Sequence, residues 1–206
     1  MNTNKTAERV FTLLLFTVAF FVATESRGEE KRHEANLSVK AKIARNQDDN
    51  ETDAEKVNGF VTTAVKTKTE TCTLEITVEN TTEQNDSYRL EWFFISKKTS
   101  GKENEKLLVF NSGKADIVLD GSASVTRTEV SKPFIYTKKT VYWTDRGGGT
   151  GNSRETNGGD VYAGYLVLVK ADGELLEKES NSSRFLTDEW VAQCEQAAQS
   201  PAAAKK

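Results

Sequence analysis

Hydrophobic and polar positions alternate with a period of two along most of the chain. Leu37–Arg45 places Leu37, Val39, Ala41 and Ile43 on one side, with Ser38, Lys40 and Lys42 opposite. That is the pattern of a strand buried on one face. Phe60–Val65 continues it, and Cys72–Val78 repeats it most clearly: Cys72, Leu74, Ile76 and Val78 point inward, while Thr73, Glu75, Thr77 and Glu79 point outward. Tyr88–Ile95 has a wholly apolar face in Tyr88, Leu90, Trp92 and Phe94. Its other face turns from Arg89 and Glu91 to Phe93 and Ile95, so this strand runs from a one-sided sheet into a covered end, with Trp92 in the core.

Leu107–Phe110, Ile117–Leu119, Ser122–Val130 and Phe134–Trp143 are further strands, and Asp120-Gly121 predicts a tight hairpin between the second and third. Val161–Ala171 is apolar on both faces and reads as a central strand. Asp172-Gly173 then turns it into a partner strand, Glu174–Glu179. Thr187 or Asp188 caps a short helix, Glu189–Gln199. Short strands at this spacing, with no alternation of strand and helix, predict an all-β fold: an antiparallel two-sheet sandwich with a short C-terminal helix.

Two stretches lack apolar periodicity. Asn46–Glu55 holds five acidic residues and no large apolar one, and reads as a solvated loop. Asp48, Asp49, Asn50 and Asp53 make calcium the sharper alternative, but the loop has no central glycine and two of its acids are adjacent, unlike a calcium-binding loop. Thr144–Asp160 contains six glycines. It lacks the Lys-Ser/Thr of a phosphate cradle and reads as a long loop at one end of the fold.

The N-terminus follows a different pattern. Val10–Ala23 is fourteen residues without a charge, preceded by Lys5 and Arg9 and followed by polar residues. This is the layout of a Sec-type signal peptide, and it is shorter than the ~20 apolar residues of a membrane span. An uncleaved anchor is the alternative, and would be the only contact with a membrane. The expected organisation is a signal peptide over 1–26, a polar linker over 27–36, the sandwich over 37–186, the helix over 187–199 and a disordered tail over 200–206. The product is expected to be periplasmic, cell-surface or extracellular.

Charge and rare residues narrow the chemistry. The leader carries Lys5 and Arg9 against Glu8 and Glu25, so its removal leaves the net charge at −3. That argues against a nucleic-acid partner. The single His33 lies in a charged stretch where a solvated tail histidine is expected, which removes Ser-His-Asp and Cys-His mechanisms. One His and two Cys also make zinc and copper sites hard to assemble, and no cofactor is implied. Cys72 and Cys194, 122 residues apart, are candidates for one disulfide, with two separate thiols as the alternative.

Near the Gly-rich segment, Tyr142, Trp143 and Tyr162 are candidate ligand contacts, because exposed aromatics side by side stack sugar rings. The competing reading places them in the core. Asn36, Asn50, Asn80, Asn85 and Asn181 each begin a glycosylation sequon.

The run Gly164-Tyr165-Leu166-Val167-Leu168-Val169-Lys170-Ala171-Asp172-Gly173-Glu174-Leu175-Leu176, after a Sec-type leader, resembles the last hairpin of immunoglobulin-like exported bacterial proteins of uncharacterised families. It departs from true immunoglobulin domains, because Cys194 lies beyond the last strand. The resemblance implies an immunoglobulin- or fibronectin-III-like sandwich and no activity. Together these readings describe a non-catalytic interaction or structural protein whose partner is a protein or glycan of the cell envelope. A carbohydrate-binding module using the aromatics beside the Gly-rich segment is the alternative, and an enzyme using carboxylates alone is a third class that no residue singles out.

Overall fold

A computed structural model describes residues 33–56, 59–100, 106–145 and 151–199. The expected signal peptide and the tail lie outside these residues, as does most of the linker. The chain is mostly antiparallel β-sheet with one short C-terminal helix. Its strands are β1 (Ala35–Lys56), β2 (Gly59–Asn80), β3 (Asp86–Ser100), β4 (Lys106–Leu119), β5 (Ser124–Val130), β6 (Phe134–Asp145), β7 (Asn152–Ala171) and β8 (Glu174–Ser180). A single 3-10 turn, Ser183–Leu186, precedes helix α1 (Asp188–Gln199). The Thr187 hydroxyl accepts the Trp190 amide proton and caps α1.

The strands hydrogen-bond in the order β1-β2-β6-β7-β3-β4, with β5 added to β2 and β8 to β7. The sheet is not closed, since β1 and β4 lie at its two ends. It folds over instead: one cluster joins Leu74, Ile76 and Val78 of β2 to Leu90, Trp92 and Phe94 of β3 and to Val167 and Val169 of β7. Trp92 is buried there, as its apolar face predicts. On the opposite side of β3 and β7, Phe93, Ile95, Leu166 and Leu168 pack under Phe185, Val191 and Cys194. The two-sided apolar pattern of β7 and the changing face of β3 are both explained by this second cover.

Three local expectations are corrected. Asn46–Glu55 is not a loop: it continues β1, paired in register with Phe60–Thr69 of β2. Each strand of this hairpin is 22 residues long, about 70 Å at 3.3 Å per residue. The Gly-rich stretch is not one long loop either. Asn152–Asp160 belongs to β7, and Asn152–Gly159 of it pairs with β6. Gly159 has φ 124° and sits against the Ile135 carbonyl, where a side chain would not fit.

Asp120-Gly121 is the third. It does not join two paired strands, because β4 pairs with β3 and β5 with β2. It forms an arch from one half of the folded sheet to the other, pinned by Ser122 N–H to Thr82 O (2.9 Å) and Asn80 N–H to Ala123 O (2.9 Å). Glu83 backbone occupies the place a Cβ on Gly121 would take. The second turn meets its expectation: Asp172 (φ 48°) and Gly173 (φ 89°) close the β7–β8 hairpin.

Asn80 organises the end of the fold where this arch lies. Its side-chain N–H groups donate to Gln84 O (2.7 Å) and Asp120 O (3.1 Å), and its Oδ1 accepts from Thr82 and from the Tyr88 hydroxyl (2.9 Å). Asn80 is fully buried, so its sequon is closed in the folded chain. Burial, followed by the Asp86 carboxylate, pushes the Tyr88 hydroxyl up to about 12 and keeps it a donor.

Candidate functional site

His33 is not a solvated tail residue. Its Nδ1 lies 2.7 Å from Asp86 and its Nε2 3.0 Å from Asp172. Asp86 opens β3 and is buried; Asp172 sits in the β7–β8 turn. The two carboxylates are 53 and 139 residues away in the chain, so local sequence offers no signal of this arrangement. A His–Asp contact is half of a general-base device, but here the second ring nitrogen faces another carboxylate. No nitrogen is left to activate a hydroxyl or thiol. The contact fastens the start of the folded unit to β3 and to the β7–β8 turn.

Cys72 and Cys194 are free thiols, both buried, and no disulfide joins them. Cys72 belongs to the cluster between the sheet halves and Cys194 to the cluster under α1. The layer of β3 and β7 separates the two clusters, which is why the 122-residue loop is not closed. Burial pushes the Cys194 thiol up to about 12, and burial also raises Cys72 against the opposing contact from Tyr162. Neither is held as a thiolate nucleophile.

A cavity of about 730 Å³ lies between α1 and strands β3 and β4, with Glu91, Ser112, Lys114, Lys170 and Glu195 in its lining. Lys170 Nζ is 2.9 Å from Glu91 and 2.5 Å from Glu195. Burial opposes the charge on Lys170, but the bonds to Glu195 and Glu91 outweigh it and lift the ammonium above the ordinary lysine value. A lysine locked in its charged form bolts α1 onto the sheet and does not attack carbonyls. Among the described residues, no cluster of His, Cys, Asp and Glu is arranged to hold a metal ion.

The three candidate aromatics do not form a platform. Tyr162 packs against the main cluster with its ring edge-on to Phe134, centroids 5.5 Å apart. Tyr142 and Trp143 are neighbours on β6 and therefore project from opposite faces. Both are exposed, Tyr142 at 46% and Trp143 at 37%. Register shows what shares the Trp143 face. Val61 of β2 lies opposite Trp143, Thr63 opposite Val141, and Val65 opposite Lys139. On the other edge of β6, Arg154 of β7 lies opposite Val141 and Thr156 opposite Lys139.

Ile135, 50% exposed, continues this face at its lower end. Lys138, one position from Lys139, projects to the other side and is neutralised by Glu155 at 2.8 Å. Lys139 and Arg154 are exposed and have no ion-pair partner among the described residues. The result is a sheet face with one indole, a valine row and two cations that have no ion-pair partner among the described residues, in a chain of net charge −3. Trp143 was visible as a candidate in sequence, while Lys139 and Arg154 were not, because their juxtaposition depends on the β6–β7 register.

No protein-family model matches the chain, and no curated protein is similar to it in sequence. Among the described residues, no helix is long and apolar enough to cross a membrane.

Proposed function

We propose that this chain is a non-catalytic secreted or cell-envelope protein, exported by a Sec-type leader, that works by surface recognition on an immunoglobulin-like sandwich. The observation that carries this reading is the division of its polar chemistry. The interior groups that would serve catalysis are committed to structure: both nitrogens of His33, the Lys170 ammonium and both thiols. Two uncommitted cations, Lys139 and Arg154, lie instead beside the exposed Trp143 on the outward sheet face. The folding of one sheet over a shared cluster supports a sandwich grouping, and the uncharged run Val10–Ala23 behind Lys5 and Arg9 supports export.

The test is photo-crosslinking of the full chain in its own cells, with the reactive side chain placed at Ile135 and, as control, at Val118 on the distant strand β4. Recognition through the Trp143 face predicts adducts in the envelope fraction from position 135 and few from 118, with the mature chain beginning near Arg27. Equal labelling at both positions, or a chain retained inside the cell with Met1 intact, overturns the reading.

A further inference from the structure

We infer that the Trp143 face binds an acidic polysaccharide, with the indole packing against a sugar ring and Arg154 and Lys139 holding uronate carboxylates. This rests on the recognition reading above and names its ligand class. The face belongs to a stretch of sheet in which same-side positions recur every ~7 Å along a strand and ~5 Å across. Trp143 lies at its outer end beside Val61, with Val141 next along β6. The apolar side of a pyranose ring, rich in C–H groups, fits an exposed indole of this kind. Arg154 lies directly across from Val141 and diagonally from Trp143. Its planar guanidinium meets a carboxylate through two parallel hydrogen bonds, with Lys139 adding a second positive charge one step down β6.

Hydroxyls decide between ligand classes. Thr67 and Thr137 face each other across β2 and β6 on this side, and Thr156 lies across from Lys139. Against lipid chains, these hydroxyls would lose water without gaining partners. A polyhydroxylated chain supplies both donors and acceptors. A peptide would add along an unpaired strand edge rather than across a face. Asp48 on β1, opposite Thr67, places a negative charge at the border of the face. That charge confines contact with a polyanion to the Lys139–Arg154 side of the face.

Polygalacturonate is the probe, with dextran as its neutral counterpart, measured by affinity electrophoresis on the full mature chain. Binding to polygalacturonate that weakens with salt, and none to dextran, is expected. Trp143→Ala and the double variant Lys139→Gln/Arg154→Gln should each weaken it about tenfold. Lys138→Gln, on the opposite face, should leave it unchanged. Circular dichroism checks that each variant is folded, and Arg154→Lys, which keeps the charge but loses the paired hydrogen bonds, should fall between wild type and the double variant.

Tighter binding to phosphatidylglycerol-containing vesicles or to oligothymidine than to polygalacturonate overturns the inference. So does binding unaffected by Trp143→Ala. Envelope adducts from position 135 without any polygalacturonate binding also overturn it, while leaving the recognition reading in place.

Discussion

From Cys72 to Val78, β2 buries every second side chain completely, with Leu74, Ile76 and Val78 facing Leu90 and Val167 across the folded sheet. From Val61 to Thr69, the same strand buries no side chain fully and is flanked by β1 and β6 on its two edges. The first stretch is held by apolar burial, worth ~25 cal/mol per Å² removed from water. The second is held by its backbone ladder and by the Asp49–Lys66 pair, the outermost of three charge pairs placed in register along the hairpin: Lys40 faces Glu75, Arg45 faces Glu70, and Asp49 faces Lys66. All three are ion pairs, at 3.5, 2.8 and 3.3 Å. Basic residues of β1 meet acidic ones of β2 near the core, and the signs exchange further out. Sliding the strands by one residue would move each side chain to the other face and break all three pairs. Burial therefore fixes one half of the hairpin, while charge order runs through both and is what the outer half has besides its ladder.

The largest expected effect lies in the buried half. Trp92→Ala should cost about 3–5 kcal/mol in chemical denaturation, through the cavity left beside Gly113 and the β2 face. A loss below about 1 kcal/mol would mean that the two halves do not differ as described.

Glu70 marks the boundary, and its expected effect is intermediate. Burial raises its carboxyl, but bonds from Lys68 and Arg45 outweigh burial and hold it below the ordinary glutamate value. Because the folded value lies below the unfolded one, the stabilisation is full above the ordinary glutamate range and is lost as pH falls through the folded value. Glu70→Gln should cost about 1 kcal/mol at neutral pH, an amount kept small by the solvent around Arg45 and Lys68. The difference from wild type should shrink in acid. Denaturation at several pH values checks both the size and the direction.

The smallest effect belongs to the outer arm. Lys66→Ala removes an exposed pair with Asp49 and should change stability by no more than about 0.5 kcal/mol. A loss comparable to that of Trp92→Ala would show the arm to be as strongly held as the core.

The buried half was legible in the sequence because burial leaves a period. Cys72–Val78 alternates, Val161–Ala171 is apolar on both sides, and Asp172-Gly173 has the residues its turn requires. Only one side of the arm was legible, in Phe60–Val65; Asn46–Glu55 has no large apolar residue, and its strand is specified by a partner rather than by its own pattern. The Asp120-Gly121 arch shows a related limit: a turn dipeptide fixes local backbone, not which strands pair. Separating Tyr142 from Trp143 needed only the strand period, whereas His33 needed contacts between distant parts of the chain.

The buried Asn80 sets up a race in any cell that attaches glycans to nascent chains. Asn80-Thr81-Thr82 is an acceptor as long as β2 is unpaired. Once the Asp120-Gly121 arch closes, the same amide nitrogen is donating to Gln84 and Asp120 carbonyls and is out of reach. The arch lies about forty residues further along the chain and is synthesised later, at 5–20 residues per second, so the acceptor is displayed before its protection exists. An oligosaccharide added in that interval would have no room in the closed network. Mass spectrometry of material made in such a host would then separate the molecules in which Asn80 was buried in time from those in which it was not.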